Sequence, residues 1–300
     1  MNRVFVTGGT GVVGRRTVPA LLGAGHDVSV VVRSEEAAAR VAAAGAAPVR
    51  VDLFDPDAVR AAVEGHDAVV NLATAIPTGA SAVRPSAWRA NDRLRTEASR
   101  HLADAVPDDG RYIGESITFP YADGGTGWVD ESADRIYVPQ NESVRDSESA
   151  AASVAGRGGI GVSLRFAMFW APDSAHIESL AAAARRGWWL LPGAPDGVMS
   201  WIDVDDAARA VVAALTAPAG VYNVGEGDPR PRSEHADALA RVVGRSRLRT
   251  LPRWTERLGG PGAESLTRSH RISSQRLTDA TGWKPEIEVI GRWADVGTGG

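Results

Sequence analysis

Near the start of the chain stands Val4-Phe5-Val6-Thr7-Gly8-Gly9-Thr10-Gly11-Val12-Val13-Gly14, a stretch that predicts a strand, a tight turn and a helix in succession. An apolar run of strand length is followed by three glycines at a spacing of three residues, Gly8, Gly11 and Gly14. Residues 15–24 then carry apolar side chains at helical spacing. Gly8 permits the tight turn, Gly11 lets a pyrophosphate approach the backbone, and Gly14 lets helix and strand pack closely. The N–H groups and positive dipole end of the helix would face the phosphates. The stretch therefore predicts a dinucleotide-binding turn.

Strand and helix patterns alternate along the rest of the chain. The further strand-length runs are His26 to Val32, Pro48 to Val51, Asp67 to Ala73, Arg111 to Ile113, Gly161 to Pro172 and Gly220 to Gly225. This alternation predicts an α/β fold with a doubly wound parallel sheet (a Rossmann fold), whose ligands lie at the carboxyl ends of the strands. We expect a dinucleotide-binding domain at residues 1–172, rejoined by the segment 198–224, and a smaller C-terminal substrate lobe at residues 173–300.

Composition excludes several classes of function. The 300 residues contain no cysteine, which rules out disulfides, thiolate metal ligands and cysteine nucleophiles. A net charge of −4 without a basic block argues against a nucleic-acid partner. No apolar run is long enough to span a bilayer, so we expect a soluble, cytoplasmic protein without a membrane partner. The six histidines show no metal-like spacing, and no metal site is predicted.

Arg33 and Ser34 follow the second predicted strand, where an NAD-specific site would carry an acid. An arginine there suits the 2′-phosphate of NADPH, because it forms forked, charge-assisted hydrogen bonds. NADPH is therefore the predicted cofactor. The alternative is a solvated arginine at a strand end. Ser34 is also predicted to cap the helix that follows.

The turn from Thr7 to Gly14, with its Gly-x-x-Gly-x-x-Gly spacing, resembles the cofactor turn of the extended and atypical branch of the short-chain dehydrogenase/reductase family, which is epimerase- and dehydratase-like. The resemblance continues through residues 161–172, 220–225 and 281–285, so it covers nearly the whole chain. It implies that Asp52 approaches the adenine amine and that Leu53 packs on the ring. The predicted cofactor-binding residues are Thr7, Gly8, Thr10, Gly11, Val12, Val13, Gly14, Arg33, Ser34, Asp52, Leu53, Leu72, Ala73 and Thr74.

The same resemblance implies catalytic positions. Asn91 falls on a supporting asparagine, and Ser116 falls on the family's catalytic serine, where it would orient the carbonyl. The family's Tyr-x-x-x-Lys pair, the tyrosine as proton donor, is absent, because Lys284 is the only lysine. Tyr121 and Tyr137 are the remaining candidates for a displaced acid.

Three tryptophans and Ile76 suggest where the substrate binds. Trp170, Trp188 and Trp189 lie where the lobe should meet the cofactor domain, and Ile76 follows the fourth strand. These four are the predicted substrate-binding residues for a flat apolar ligand. Core packing is the alternative explanation for a tryptophan.

The function these features favour is NADPH-dependent reduction of a ketone, with the substrate assisting its own protonation. The chain resembles reductases of aromatic polyketides, and this resemblance implies a bulky aromatic, angucyclinone-type substrate. The cofactor carries the hydride, so loss of the tyrosine does not forbid reduction. Two alternatives stay open: a non-catalytic NADP-sensing regulator, and a sugar-nucleotide epimerase or dehydratase. The expected partner is a small aromatic ketone; the sequence does not indicate an oligomeric state.

Overall fold

The computed structural model describes residues 2–77, 81, 84–250 and 260–297. The strands are β1 (Arg3–Thr7), β2 (Asp27–Val31), β3 (Ala47–Val49), β4 (Ala68–Asn71), β5 (Arg111–Ile117), β6 (Trp128–Val129), β7 (Ile160–Phe166), β8 (Met168–Trp170), β9 (Trp188–Trp189), β10 (Trp201–Asp203), β11 (Gly220–Val224), β12 (Arg249–Thr250) and β13 (Arg271–Ile272). Seven of them form a parallel sheet in the order β11-β7-β5-β4-β1-β2-β3. The predicted doubly wound Rossmann sheet is confirmed.

Helices cover both faces of this sheet. They are α1 (Gly14–Gly23), α2 (Glu35–Ala43), α3 (Pro56–Val63), α4 (Pro85–Arg93), α5 (Ser99–Ala105), α6 (Val144–Gly156), α7 (Ala175–Arg185), α8 (Val204–Ala214), α9 (Arg232–Val242), α10 (Gly260–Thr267), α11 (Gln275–Thr281) and α12 (Val289–Arg292). Side chains of α1, α2, α8 and α11 pack with Val4 and Val6 on one face, and those of α3, α5 and α6 pack with Phe5 on the other. This alternation follows from the two-residue period of a strand. Among the described residues, no helix has the length and apolar composition needed to cross a bilayer.

The strand order reverses between β1 and β4. Strands β2 and β3 extend the sheet to one side of β1, whereas β4, β5, β7 and β11 extend it to the other. In open parallel sheets, ligands bind at the carboxyl ends of the strands beside such a reversal. The turn from β1 into α1 and the segment that leaves β4 both lie at this position.

A second hydrophobic core joins residues 168–201 to the C-terminal part of the chain. Its centre is aromatic: the rings of Trp170 and Trp201 lie 6.3 Å and 5.6 Å from the ring of Trp293, both nearly perpendicular to it. Helices α7 and α9 contribute Ile177 and Leu239. The short strand pairs β8 with β10 and β9 with β12 frame this core.

One predicted helix differs in detail. The spacing of apolar residues over residues 88–106 predicts one regular helix with Leu94 on its buried face. In the structure a π turn at Leu94–Ala98 joins α4 to α5. The Ser99 N–H donates to the Leu94 carbonyl, five residues back. A π turn adds a residue to the helical repeat, so Arg95 is buried and Leu94 is only half-buried. The expectation for Leu94 was wrong for this reason.

Candidate active site

The β1–α1 turn has the shape that a dinucleotide requires. Gly8 has a φ of +69°, and a Cβ there would lie 2.3 Å from the carbonyl oxygen of Leu72. A Cβ on Gly14 would lie 2.1 Å from the carbonyl oxygen of Gly8. A Cβ on Gly11 would meet only that same oxygen, at 3.2 Å, so the outer side of Gly11 is open. The residues present therefore fit a pyrophosphate set against the first turn of α1.

Thr7 does not face this open side. Its side chain is fully buried, and its hydroxyl donates to Asn71 Oδ1 at 2.6 Å. The Asn71 amide in turn donates to Ser99 Oγ at 3.0 Å and to the Tyr112 hydroxyl at 2.9 Å. Burial raises the pKa of Tyr112 to about 12. The Thr7 hydroxyl therefore ties β1 to β4, and the predicted cofactor contact of Thr7 stays a prediction for its backbone.

The predicted adenine and ribose contacts lie along the carboxyl ends of β2 and β3. Arg33 is exposed, and among the described residues it has no hydrogen bond or ion pair. Ser34 caps α2, its Oγ accepting from the Ala37 N–H at 3.2 Å. Asp52 is exposed and accepts from the Phe54 N–H at 2.9 Å. Arg33 is therefore free to meet a phosphate, whereas Ser34 and Asp52 also shape the local backbone.

The segment after β4 runs next to the glycine turn. Leu72 is buried against Gly8, Ala73 is half-buried, and Thr74 is exposed. The Ala75 N–H donates to Asn91 Oδ1 at 3.0 Å. The Asn91 side chain therefore holds the segment after β4 in place, and its supporting role in the active site stays a prediction. Ile76 is 45% exposed, a position compatible with a substrate contact.

Ser116 is sealed inside the protein. It is fully buried, and its hydroxyl donates to Glu148 Oε1 on α6 at 2.7 Å. Arg165 on β7 forms a bidentate pair with the same carboxylate, at 2.7 Å and 2.8 Å. Burial acts to raise the pKa of Glu148, but the hydrogen bonds and charge of Arg165 outweigh it, and the pKa lies below its ordinary value. The prediction that Ser116 orients the substrate carbonyl is corrected, because its hydroxyl is used within this network.

The two candidate tyrosines differ. The Tyr121 hydroxyl is buried, donates to Asn223 Oδ1 at 2.8 Å and accepts from Arg165 Nη1 at 2.7 Å. It is therefore a structural group, and its candidacy as the acid is corrected. The Tyr137 hydroxyl is enclosed and has no hydrogen-bond partner among the described residues. Burial raises its pKa, and the Arg145 guanidinium lies 3.9 Å from its ring centre.

No ordinary acid stands on the helix after β5. That helix, α6, contains neither tyrosine nor lysine, and Glu148 on it is occupied by Ser116 and Arg165. Among the described residues, Tyr137 is thus the one predicted acid whose hydroxyl is uncommitted. The site offers positioning groups rather than a dedicated proton donor.

Two of the three predicted substrate tryptophans are core residues. Trp170 is fully buried, and Trp189 is 3% exposed with its ring 6.4 Å from that of Trp293. Both pack the lobe, so their assignment to a substrate surface is corrected. Successive side chains of a strand point to opposite faces, so Trp188 points away from the core that contains Trp189. Trp188 is 36% exposed. Trp188 lies in β9, which pairs with β12.

Sequence reasoning missed a charged pair beside the site. Arg95, 2% exposed, donates through Nη2 to both carboxylate oxygens of Glu115, at 3.1 Å and 3.2 Å. Glu115 immediately precedes Ser116 near the carboxyl end of β5. The sequence contained one signal for this residue: Arg95 lies four residues after Asn91, and residues four apart share one face of a helix.

The fold and the glycine turn define a class of enzymes that bind NAD(P)H. Comparisons of this chain with known proteins agree with that class. The family model described as NAD(P)H-binding matches residues 8–110. A 3-diazoavenalumate denitrifying reductase from a Streptomyces species is 33% identical over 297 residues, 94% of this chain and 96% of that protein. The 4-hydroxy-2-methyl-3-oxo-4-farnesyl-3,4-dihydroquinoline-1-oxide ketoreductase of Stigmatella aurantiaca is 39% identical over 89 residues, 30% of this chain and 26% of that protein.

Among solved structures, a human epimerase family protein with NADPH superimposes with a TM-score of 0.78 at 22% identity, covering 99% of each chain. That likeness concerns the fold. The chain belongs to the extended short-chain dehydrogenase/reductase family, and it is an NAD(P)H-dependent oxidoreductase.

Proposed function

We propose that the protein is an NADPH-dependent ketoreductase acting on a bulky aromatic, polyketide-type natural product of the angucyclinone kind, in an antibiotic-type biosynthetic pathway. The observation that carries this proposal is the site without a dedicated acid: α6 has neither tyrosine nor lysine, and Ser116 is held by Glu148. A substrate with a phenol hydroxyl beside its ketone can replace the missing acid. The relatives named as a reductase and as a ketoreductase of a ring-bearing metabolite support this substrate class.

The chain's own contribution is orientation. When bound, NADPH supplies the hydride that forms the new C–H bond. The glycine turn and the segment after β4 hold the cofactor and substrate face to face, and correct placement contributes roughly 7–11 kcal/mol in favourable cases. A general acid contributes on the order of 10²–10⁴-fold. Positioning is therefore the larger of the two effects, and the enzyme can work without the tyrosine.

The substrate's own hydroxyl is expected to matter more than any protein hydroxyl. Ser116→Ala, Tyr121→Phe and Tyr137→Phe should each lower kcat by less than the 10²–10⁴-fold of a dedicated acid. Methylation of the phenol next to the ketone should lower kcat more than any of these changes. Single-turnover oxidation of NADPH measures each effect, provided that each variant is folded and saturated with cofactor and substrate. A tyrosine variant that binds both ligands but loses nearly all turnover would show that a protein acid exists.

Arg33 is expected to select NADPH over NADH. Each charge-assisted hydrogen bond to the 2′-phosphate stabilises the complex by about 1.5–3 kcal/mol. Arg33→Ala should therefore weaken NADPH binding roughly 10–150-fold and change NADH binding little. Fluorescence titration with both cofactors measures this. The exposed Arg40 pairs with Glu36 on the same helix, so Arg40→Ala is a control for general charge loss. Equal losses for NADPH and NADH in Arg33→Ala would remove Arg33 from the role.

A second candidate reaction is reductive removal of nitrogen from an aromatic diazonium. It is favoured by the full-length relative, whose name denotes a denitrifying reductase of a diazo compound. Hydride addition to the ring carbon forms a C–H bond and releases N₂, so the product needs no proton. A site without the Tyr-x-x-x-Lys pair suits this reaction equally well. Parallel assays with aromatic ketones and aromatic diazonium salts separate the two: one yields an alcohol, the other an arene and N₂.

The two alternatives from sequence have less support. The reductase relatives favour catalysis over a purely regulatory role. Epimerase or dehydratase chemistry needs the tyrosine base, which α6 lacks. Stoichiometric NADPH binding with no oxidation across both substrate panels would favour the regulator.

A further inference from the structure

Arg95 is buried but only partly used. One of its nitrogens, Nη2, meets both oxygens of Glu115, at 3.1 Å and 3.2 Å. The other two guanidinium nitrogens, Nε and Nη1, are enclosed and have no hydrogen-bond partner among the described residues. Unpaired buried donors destabilise a fold, and a charged one does so more strongly. Two unused donors on a buried cation therefore indicate an absent partner.

Asn91 repeats the pattern one helical turn earlier. It is fully buried, and its Oδ1 accepts from the Ala75 N–H at 3.0 Å, but its Nδ2 has no partner among the described residues. Residues four apart on a helix are neighbours on one face. Asn91 and Arg95 thus present unpaired N–H donors together, between the segment after β4 and the end of β5. The end of β4 is next to the cofactor turn, because β4 pairs with β1, and the end of β5 lies one strand further along the sheet.

We propose that Asn91 and Arg95 form a binding site for an oxygen atom of the substrate that carries, or develops, negative charge. The inference rests on the proposed function. If the protein reduces a ketone, the bound atom is the carbonyl oxygen. If the substrate is a different aromatic compound, the bound atom is a phenolate or carboxylate oxygen of that compound. A guanidinium remains protonated throughout, so Arg95 stabilises the oxyanion without donating its proton. Glu115 holds the guanidinium in place through Nη2 and leaves the other nitrogens free.

Binding of benzoate tests this site without requiring turnover. Calorimetric titration of the NADP⁺-loaded protein with benzoate should show binding, and Glu115→Gln should retain it, because that variant keeps Arg95. The double variant Arg95→Met/Glu115→Gln removes both charges, so no carboxylate is left buried and unpaired. It should bind benzoate at least about tenfold more weakly than Glu115→Gln. Asn91→Asp, which keeps an acceptor for the Ala75 N–H, should also weaken benzoate binding.

Arg93→Met is the matched control. Arg93 lies two residues away, exposed and paired with Glu97, so this change removes the same charge outside the site. Benzoate affinity should stay within about twofold of the unmodified protein, because exposed charges contribute little.

Three results would overturn the proposal. Equal benzoate affinity in Glu115→Gln and the double variant would assign the donors to a structural role or a buried water. A parallel loss of NADP⁺ affinity would assign them to the cofactor. Absence of benzoate binding by the unmodified protein would leave no oxyanion site. A failure of ketone reduction alone would instead overturn the ketoreductase and leave the benzoate result standing.

Discussion

Replacement of Arg165 by methionine is expected to lower the free energy of unfolding by about 1.5–3 kcal/mol, because Glu148 loses two charge-assisted hydrogen bonds. The carboxylate keeps the Ser116 hydroxyl and Arg135, whose Nη1 lies 2.6 Å from Oε2. Arg165 is 3% exposed and holds Glu148 with two hydrogen bonds, at 2.7 Å and 2.8 Å. Its third nitrogen donates to the Tyr121 hydroxyl at 2.7 Å. The change therefore also removes a link between β7 and the segment after β5. Urea denaturation followed by circular dichroism measures the loss.

The double variant Arg165→Met/Glu148→Met sharpens this test. With both charges gone, no carboxylate is left unpaired, and buried ion pairs replaced by apolar side chains often cost little. We expect the double variant to be more stable than Arg165→Met alone. Arg60→Met, at an exposed pair with Asp57, should cost less than about 1 kcal/mol. A loss below that level in Arg165→Met would show that the network does not hold these elements together.

His235 is expected to make the protein less stable in acid. It is fully buried beside Trp201 and Trp293, and its Nδ1 accepts from the Trp293 indole N–H at 3.0 Å. Burial, with smaller effects from Arg230 and Arg232, lowers its pKa from 6.5 to about 4. Below pH 6.5 the unfolded chain takes up a proton that the folded protein rejects, so stability falls as the pH drops toward 4. This single group should contribute a loss of about 3 kcal/mol.

The variant His235→Gln isolates that contribution. Glutamine can accept from the Trp293 N–H but does not titrate, so the stability difference between the two proteins should shrink from pH 7.5 to pH 4. For Glu226→Gln, the stability difference from the unmodified protein should change with pH in the opposite direction. Burial raises the pKa of Glu226 to about 8 despite hydrogen bonds from the Trp201 and Val289 N–H groups. Its contribution is therefore present at low pH and lost as the pH rises through 8. A stability difference for His235→Gln that does not change with pH would contradict the His235 assignment.

Local sequence was sufficient wherever one short segment contains the whole cause. Gly8 and Gly14 predicted the cofactor turn because a local cause acts at each: Gly8 has a φ of +69°, and a Cβ on Gly14 would meet the backbone of Gly8 and Gly9. Central strands such as β1 and β4 were recognisable because they are buried on both faces and consist mainly of apolar residues. Arg33 was recognisable because it directly follows a strand.

Tertiary structure decided the use of each polar side chain near the site. Ser116 stands at the expected strand end, yet Glu148, thirty-two residues later, occupies its hydroxyl. Trp170 looked like a substrate contact because its neighbours in sequence border the cofactor domain, whereas Trp293 covers it in the fold.

The sequence by itself determined the doubly wound sheet, the cofactor turn and the absence of the Tyr-x-x-x-Lys pair. Only the folded chain decided that Arg95 meets Glu115 across twenty residues of sequence. Such pairings depend on the strand order and on side-chain direction. Periodicity within one segment contains neither, so the donors that face the site became visible only in three dimensions.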